Sequence, residues 1–363
     1  MAGFKNVFKV VSVFIGLVIG AGFASGQELV KFFVKFGESG FLGILLAGML
    51  LSFIALAVMD ICYIRKISNY DEFLDLIFGK NIGLVVDFSV MLFIELLFCA
   101  MLAGTGALLK EAFGLSPSAG IILMAGMCLL TLMFDLRGIV NVSVVLAPVL
   151  VIGGVFFGLY SFFTESAHAF IAFHPLEMIS KSFVWSAVIY SSYNLITSVS
   201  VLAGMGGLLT SRKVVRLSSA IGGLALTVLA LCFSFPLFRH FSLLEFAEVP
   251  MYRIAQFHGS LVQLLYIVIL LAAIFTTAVS NAFAAFGYVQ RKLKLNPAAI
   301  KITGAVISVV IAHVGFSGIV NHVYSFFGYV GLFEIIAIVV FWLKLKAEPL
   351  ILRKSVPKAK NPG

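Results

Sequence analysis

Residues 16–28 have the sequence GLVIGAGFASGQE, and this stretch decides how the first apolar run of the chain folds. Four glycines fall within eleven residues, and each costs up to about 1 kcal/mol relative to alanine inside a helix. A break at membrane depth exposes backbone groups, which only a cavity filled by water or ligand tolerates. The alternative is close helix packing through the small residues. The stretch predicts an unwound segment at a water- or ligand-filled cavity, and its candidate binding residues are Gly20, Ala21, Gly22, Phe23, Ala24 and Ser25.

Composition places the chain in a membrane. Of 363 residues, 61% are hydrophobic and 11% charged, against about 25% charged in soluble domains. The net charge of +9 comes from short basic clusters between apolar runs, so no nucleic-acid partner is expected. The sequence lacks zinc-protease, nucleophile and P-loop motifs, and the six histidines are scattered. These features exclude a soluble enzyme and predict no enzymatic activity.

The apolar runs predict ten membrane-spanning helices and an all-α fold, because a bilayer core needs about 20 apolar residues per helix. With the N-terminus inside, nineteen of the 25 basic residues fall on the cytoplasmic side, which predicts that both termini are cytoplasmic. The predicted spans cover residues 7–35, 40–62, 82–109, 117–134, 138–163, 180–209, 214–238, 259–290, 298–315 and 318–343.

Five spans in each half predict an inverted repeat, with residues 1–163 as the first half and 164–343 as the second. Residues 344–363 form a basic cytoplasmic tail. Residues 69–79 predict an amphipathic cytoplasmic helix that Asn69 caps and Gly79 ends. The external segments 164–179 and 239–257 are either lids or ordinary loop packing.

The sixth span carries a polar interruption that mirrors the glycines of the first. A helix break here would direct free N–H groups at a carboxylate in the gap. The alternative is that the Ser and Thr hydroxyls bond to neighbouring helices. The interruption adds five residues to the predicted solute site: Tyr190, Ser191, Ser192, Tyr193 and Asn194.

Acidic residues inside apolar runs are costly and are functional candidates. Glu95 lies near the centre of the third span and faces the cavity if that helix is suitably rotated. It is predicted to bind a substrate amine, a cation or a coupling proton. Glu334 in the tenth span and Glu28 in the first are further coupling or gating candidates, and an interhelical hydrogen bond is the structural alternative. Asp60 is expected to be solvated or paired with a nearby basic residue.

Residues 16–28 resemble the G-x-x-x-G-x-G motif of the amino acid–polyamine–organocation superfamily, and more closely the YkvI-like bacterial membrane proteins within it. The resemblance implies a LeuT-type fold of ten helices in a 5+5 inverted repeat. Its first and sixth helices would be broken around the substrate, with the third and eighth as scaffold. It also implies a sodium site, unless the threonines bond back to their own helix. Its ligands would be Thr276, Thr277 and the carbonyls of Ala273, Gly16 and Ile19.

These observations lead us to expect a secondary active transporter, a symporter in the bacterial inner membrane that moves a small, amino-acid-like solute by alternating access. We expect transport to be coupled to sodium or protons. No cofactor is expected other than Na⁺ as the coupling ion. The partners are the solute and the lipid bilayer; the oligomeric state is open. The alternative is a non-transporting solute sensor on the same scaffold. A channel is disfavoured because no filter motif is present.

Overall fold

The computed structural model describes residues 2–133, 152–156, 158–160, 163, 182–244, 247–293 and 295–354. Most of the predicted fifth span, the segment 164–179 and the tail beyond residue 354 lie outside these residues. Over the described ranges the chain forms helices and turns without any strand, which confirms the all-α prediction.

The first predicted span is divided into α1 (Ala2–Val18), α2 (Ala21–Ala24) and α3 (Gln27–Phe32), followed by a 3₁₀ turn at Val34–Phe36. The remaining helices follow the predicted spans, except for two short helices within the external segment 239–257. They are α4 (Glu38–Arg65), α5 (Tyr70–Phe113), α6 (Pro117–Met133), α7 (Ser182–Gly204), α8 (Arg212–Arg239), α9 (Phe241–Leu244), α10 (Pro250–Phe257), α11 (Ser260–Leu293), α12 (Pro297–Ala312) and α13 (Phe316–Lys354).

Six of these helices are long and apolar enough to cross a membrane: α4, α5, α7, α8, α11 and α13. The apolar helices α6 and α12 are shorter. Large apolar side chains on the outer faces, such as Leu42, Met49 and Val310, are exposed, as lipid contact requires. The chain is therefore a multi-pass membrane protein.

Local signals in the sequence set several helix boundaries. Asn69 precedes α5, and its Oδ1 accepts a hydrogen bond from the N–H of Asp71 (3.0 Å). Gly79 interrupts α5 with φ +70° and ψ 167°, which separates a short first segment from the spanning part. Gly315, at φ +92°, lies between α12 and α13, where the ninth and tenth spans were divided. The left-handed region costs a glycine little because it has no Cβ.

Counterpart spans of the two predicted halves pack against each other. The second span, α4, contacts the seventh, α8, and the third span, α5, contacts the eighth, α11. The sixth span, α7, lies between α4 and α13. Helix α13 continues to Lys354, so the first part of the predicted tail is helical. This packing surrounds the broken first span with helices from both halves.

Candidate solute and cation site

The first span breaks between α1 and α2, as its glycines predict. The N–H of Ile19 donates to the carbonyl of Ile15 (2.9 Å), but the N–H of Gly20 donates to Val18 (3.0 Å). Gly20 has an extended backbone (φ −98°, ψ −173°). The carbonyl of Gly16 therefore does not receive the N–H four residues later, and it is available to another partner.

A second interruption separates α2 from α3 at Gly26, whose φ is +82°. A Cβ at this position would lie 2.8 Å from Met251 Cγ and 3.1 Å from Leu237 Cδ1, so only glycine fits without movement. The carbonyl of the adjacent Ser25 accepts a hydrogen bond from the N–H of Met251 (3.0 Å). The segment 247–257 thus packs directly on the broken region, whose residues Ala21 to Ala24 are all buried.

Glu111, near the end of α5, holds the same segment from another side. Its Oε1 accepts a hydrogen bond from the N–H of Glu248 (3.0 Å), and its Oε2 lies 3.4 Å from Arg253 Nε. Burial raises the pKa of the Glu248 carboxyl, the Glu111 charge raises it further, and Lys110 opposes the shift. These contacts fit both interpretations of the segment, a lid and ordinary loop packing.

The predicted cation ligands on α11 lie beside the break. A Cβ on Gly20 would be 3.8 Å from Thr277 Cγ2, which is ordinary van der Waals contact. The Thr276 hydroxyl donates to the carbonyl of Ala273 (3.0 Å), so it bonds back to its own helix. Among the described residues the Thr277 hydroxyl has no hydrogen-bond partner. The Thr277 side chain therefore lies beside Gly20 through its methyl group, and the sodium site stays a prediction.

Glu28 folds back over α2. Its Oε2 accepts a hydrogen bond from the Tyr193 hydroxyl (2.5 Å), and the side chain is 4% exposed. A Cβ on Gly22 would come within 1.9 Å of Glu28 Oε1, so the missing side chain of Gly22 makes room for the carboxylate. This contact joins the two halves of the chain at the broken region.

A small apolar cavity lies against the break. Val18, Phe23, Phe33, Tyr190 and Leu226 are among the residues that line it, and its volume is about 10 Å³. That volume holds about one water molecule. A solute of amino-acid size enters this cavity only after the surrounding helices move.

The sixth span corrects one prediction: it is a single α-helix over Ser182–Gly204, and the predicted break at residues 190–194 is wrong. The hydroxyls of Ser191 and Ser192 donate to carbonyls four residues earlier (2.8 and 2.7 Å), and Asn194 Nδ2 donates to the carbonyl of Tyr190 (3.0 Å). Ser192 and Asn194 thus bond within the helix, while the Ser191 hydroxyl also lies 3.3 Å from the carbonyl of Ala47 on α4. The free N–H groups expected to bind a carboxylate are absent from this described helix.

The structure also places Glu95 away from the break. Its Oε1 lies 2.6 Å from Ser308 Oγ of α12. Phe93, two residues earlier and therefore on the opposite side of α5, stacks with Phe327 at 4.7 Å between ring centroids. The rotation needed to point Glu95 at the cavity is therefore not the one adopted, and the interhelical hydrogen bond describes this residue.

Two other acidic residues are buried at a distance from α2. Glu334 is 3% exposed and its Oε1 has no hydrogen-bond partner among the described residues. Asp60, expected to be solvated or to pair with Arg65 or Lys66, accepts a hydrogen bond from Trp342 Nε1 (2.8 Å) and lies 3.3 Å from Lys346 Nζ. The sequence did not indicate these two partners, which α13 brings against α4.

Several aromatic contacts around the broken region were not predicted from the sequence. The Tyr266 hydroxyl of α11 donates to the carbonyl of Ala24. Tyr324 of α13 packs against Tyr193, with 5.0 Å between ring centroids. Tyr266 and Tyr324 are each isolated tyrosines in an apolar run. A lone hydroxyl in such a run is the one sequence feature that could have identified them as contact residues.

These features define an integral membrane protein of the LeuT-type fold. The chain is similar to the Eremococcus coleocola manganese transporter, with a TM-score of 0.62 at 12% identity over 92% of this chain and 78% of the other. It is similar to Mhp1 in its inward-facing conformation, with a TM-score of 0.63 at 14% identity over 91% of this chain and 75% of the other. At these identities the likeness shows the shared fold.

The chain belongs to the family of the membrane protein YkvI of Bacillus subtilis (strain 168). The two are 30% identical over 325 residues, which cover 88% of this chain and 91% of the relative. YyaD of the same organism is 24% identical over 328 residues, or 90% of this chain and 94% of the relative. No protein-family model matches the sequence. The resemblance to the YkvI-like membrane proteins is thereby confirmed.

Proposed function

We propose that the protein is a secondary active transporter of a small, amino-acid-like solute, working by alternating access with sodium or proton coupling. The observation that carries the proposal is the break at Ile19 and Gly20, which lies against Thr277 of α11. Unpaired backbone carbonyls at membrane depth are stable only where a polar ligand or water satisfies them. A broken helix at the interface of two repeats is typical of transporter binding sites.

The coupling ion we favour is sodium. Carbonyl oxygens of Gly16, Ile19 and Ala273 would join the hydroxyls of Thr276 and Thr277 around it. The fit rests on two observations: the Gly16 carbonyl lacks its helical donor, and the Thr277 hydroxyl has no partner among the described residues. A hard cation prefers such oxygen ligands. Bound there, the ion would tie α1 to α11 and so link ion binding to the position of the first span.

The packing of the segment 247–257 on the break supports alternating access. With both termini in the cytoplasm of a bacterial cell, this segment lies on the external side, and it packs on Ser25 and Gly26. The small cavity against the break has a volume of about 10 Å³, which is too small for an amino acid. Transport then requires the helices around the break to rearrange so that the site opens to one side at a time.

Uptake by liposomes containing the purified full chain tests the proposal. A panel of radiolabelled amino acids is offered under an inward sodium gradient, then under an inward proton gradient, with protein-free liposomes as the control. We expect accumulation of at least one amino acid that an ionophore collapsing the gradient abolishes. Binding of a solute without gradient-driven uptake under either condition would overturn transport and favour a sensor.

A further inference from the structure

The first segment of α5, residues 70–78, is hinged to the spanning part of that helix at Gly79. Gly79 has φ +70° and ψ 167°, and a Cβ built on it would meet nothing within 4 Å. Such a glycine permits a change of backbone direction without displacing a neighbour. Just before the segment, the carbonyl of Ile67 packs against Gly206, beyond the end of α7, so closely that a Cβ on Gly206 would clash with it. The hinged segment therefore lies between α5 and the end of the sixth span.

The segment 70–78 packs on α13 through side chains of one face. Phe78 stacks with Phe333 of α13, with 6.1 Å between ring centroids. Tyr70 precedes Phe78 by about two helical turns and so lies on the same side of the segment. Burial raises the pKa of the Tyr70 hydroxyl, and among the nearby charges that of Glu334, the residue after Phe333, raises it most. The phenol therefore keeps its proton and lies near Glu334.

Glu334 and Tyr70 are both buried with an oxygen that has no partner. Glu334 is 3% exposed, and neither its Oε1 nor the Tyr70 hydroxyl has a hydrogen-bond partner among the described residues. An ionised carboxylate out of water is costly unless a cation pairs with it, and an unpaired one takes up a proton instead. A neutral Glu334 carries no buried charge, and its O–H supplies a donor for the Tyr70 oxygen.

The charged side chains on the elements around Glu334 either repeat its sign or already pair with one another. They are Asp71 and Asp87 of α5, Asp60 of α4, Lys292 of α11 and Lys346 of α13. Lys292 Nζ lies 3.9 Å from Asp87 Oδ2, and Lys346 Nζ lies 3.3 Å from Asp60 Oδ2. Among the described residues no basic nitrogen lies within 4 Å of Glu334. No side chain of this group therefore neutralises Glu334.

A proton is the ligand that fits this place. On α7, Ser192 and Ile196 pack against Gly331, one turn before Glu334, and carry no charge. A hard metal cation takes about six or more oxygen ligands, whereas a carboxylate and one phenol supply far fewer. A proton needs one acceptor and no cavity, and it removes the buried charge. A water molecule in the same place would leave that charge uncompensated.

We propose that Glu334 and Tyr70 form a proton site that holds the segment 70–78 on α13. Glu334 is protonated while the segment is docked. When its O–H bond breaks, the proton passes to water, and the carboxylate becomes hydrated as the segment swings about Gly79. The docked form holds the extra proton, so acid favours docking and a rising pH releases the segment.

With both termini in the cytoplasm, this end of the molecule faces the cytoplasm, and the proton site responds to the pH there. Release of the segment would also free the contact between Ile67 and Gly206 at the end of the sixth span. The inference goes beyond the proposed function, and it holds whether or not the protein transports a solute.

Infrared spectroscopy of the purified full chain in detergent tests the proton itself, because a protonated carboxyl and a carboxylate absorb at different wavenumbers. The difference spectrum between the wild-type protein and Glu334→Gln is recorded at about pH 6 and about pH 10, on either side of the expected release. We expect a protonated-carboxyl band at the lower pH that disappears at the higher one. A spectrum with only carboxylate bands at the lower pH, or a protonated band that persists at the higher one, would overturn the proposal.

Hydrogen exchange, corrected for the intrinsic rate, measures docking of the segment. A helix this short is marginal in water once undocked, so its amides exchange faster. In the wild-type protein, protection of residues 70–78 should fall several-fold as the pH rises over the same range. Glu334→Gln is neutral at every pH and should keep the segment protected throughout. Glu72→Gln makes the same chemical change at an exposed position of the segment and should retain the wild-type dependence.

Tyr70→Phe tests the second half of the site. It keeps the ring and removes the hydroxyl, so the buried O–H of neutral Glu334 is left without an acceptor. Protection of the segment should therefore be lost at a lower pH than in the wild-type protein. Far-ultraviolet circular dichroism and a symmetric gel-filtration peak confirm that each variant is folded.

Three exchange results would overturn the proton site: protection that is constant with pH in the wild-type protein, a pH dependence that survives in folded Glu334→Gln, or the same transition in Tyr70→Phe as in the wild type. The first and third results need no Glu334 variant, so they decide the matter even if Glu334→Gln does not fold. The proposed transport function fails by a different result, since absent uptake in liposomes leaves this site intact.

Discussion

The indole Nε1 of Trp342 on α13 donates a 2.8 Å hydrogen bond to Asp60 Oδ2 on α4, across 282 residues of sequence. Lys346, one turn further along α13, places its Nζ 3.3 Å from the same oxygen and 3.8 Å from the indole centroid. Asp60 is 7% exposed, so these two neighbours provide polar contacts to a carboxylate that has little access to water. The three side chains join the second span to the tenth.

Trp342→Phe is expected to lower the free energy of unfolding by about 2 kcal/mol, because it removes one donor from a buried carboxylate and keeps an aromatic ring. Equilibrium unfolding in mixed micelles, followed by circular dichroism, measures the change. Trp185→Phe is the control, since the partly exposed Trp185 indole donates a 3.3 Å hydrogen bond to the neutral Tyr329 hydroxyl. Equal losses in both variants would show that the Asp60 contact adds no stability.

Gly26→Ala is expected to destabilise the protein by about 1–2 kcal/mol, because alanine is strained at positive φ and its Cβ would press on Met251. Hydrogen exchange in the segment 247–257 should also become faster. Gly126→Ala in α6 is the control: nothing lies within 4 Å of its added Cβ, and a helical alanine gains up to about 1 kcal/mol. Unchanged exchange in the segment would contradict the proposed packing on the break.

Acidification is expected to tighten the docking of the segment 247–257. The pKa of Glu248 is raised in the folded protein by burial and by Glu111. A group with a raised folded pKa binds protons more readily when folded, so stability falls as pH rises above the ordinary carboxyl range. Between pH 7.5 and 5, protection of the segment from hydrogen exchange, corrected for the intrinsic rate, should therefore increase.

Glu248→Gln should remove this pH dependence, because its amide does not titrate. The other ionisable groups beside the segment include Glu111, Lys110 and Arg253, together with His240, whose ring stacks with Phe257, and His258, which follows the segment at the end of α10. If the dependence persists in Glu248→Gln, one of these neighbours is its source. A segment equally protected across the range in the wild-type protein would show that Glu248 does not control docking.

The sequence predicted the features that glycine and composition control. Gly20, Gly26 and Gly315 interrupt helices because of what their backbones cost or permit, and that property is local. The apolar runs gave the spans because the thickness of a bilayer fixes helix length.

Features that depend on the rotation of a helix, or on long-range pairing, were not predictable in the same way. Lipid and protein interior are both apolar, so no polar face marks how α5 is rotated, and the sequence left open which side of the helix Glu95 faces. A serine-rich stretch such as that of α7 is compatible with a continuous helix, in which the hydroxyls bond to backbone carbonyls, and with a broken helix. A single sequence does not distinguish these two structures. The pairing of Asp60 with Trp342 joins distant parts of the chain and has no local pattern.

Sodium is expected to stabilise the protein through Thr277. A ligand that binds the folded state adds RT ln(1 + [L]/Kd) to stability, about 2.7 kcal/mol at a hundredfold excess over Kd. The melting temperature in NaCl should therefore exceed that in KCl at equal concentration. Thr277→Ala should remove most of this difference because it deletes an oxygen beside the break, and Thr277→Ser should preserve it because the hydroxyl remains.

Ser280→Ala provides a control one turn away on the same helix. The exposed Ser280 hydroxyl donates to the carbonyl of Thr276 (2.8 Å) and lies outside the proposed ligand set, so its removal should leave the sodium effect intact. A sodium effect that survives in Thr277→Ala would place the ion elsewhere. No sodium effect in the wild-type protein, with uptake driven by a proton gradient, would assign the coupling to protons. The two threonine variants therefore separate a sodium ligand from a threonine that only fills space beside Gly20.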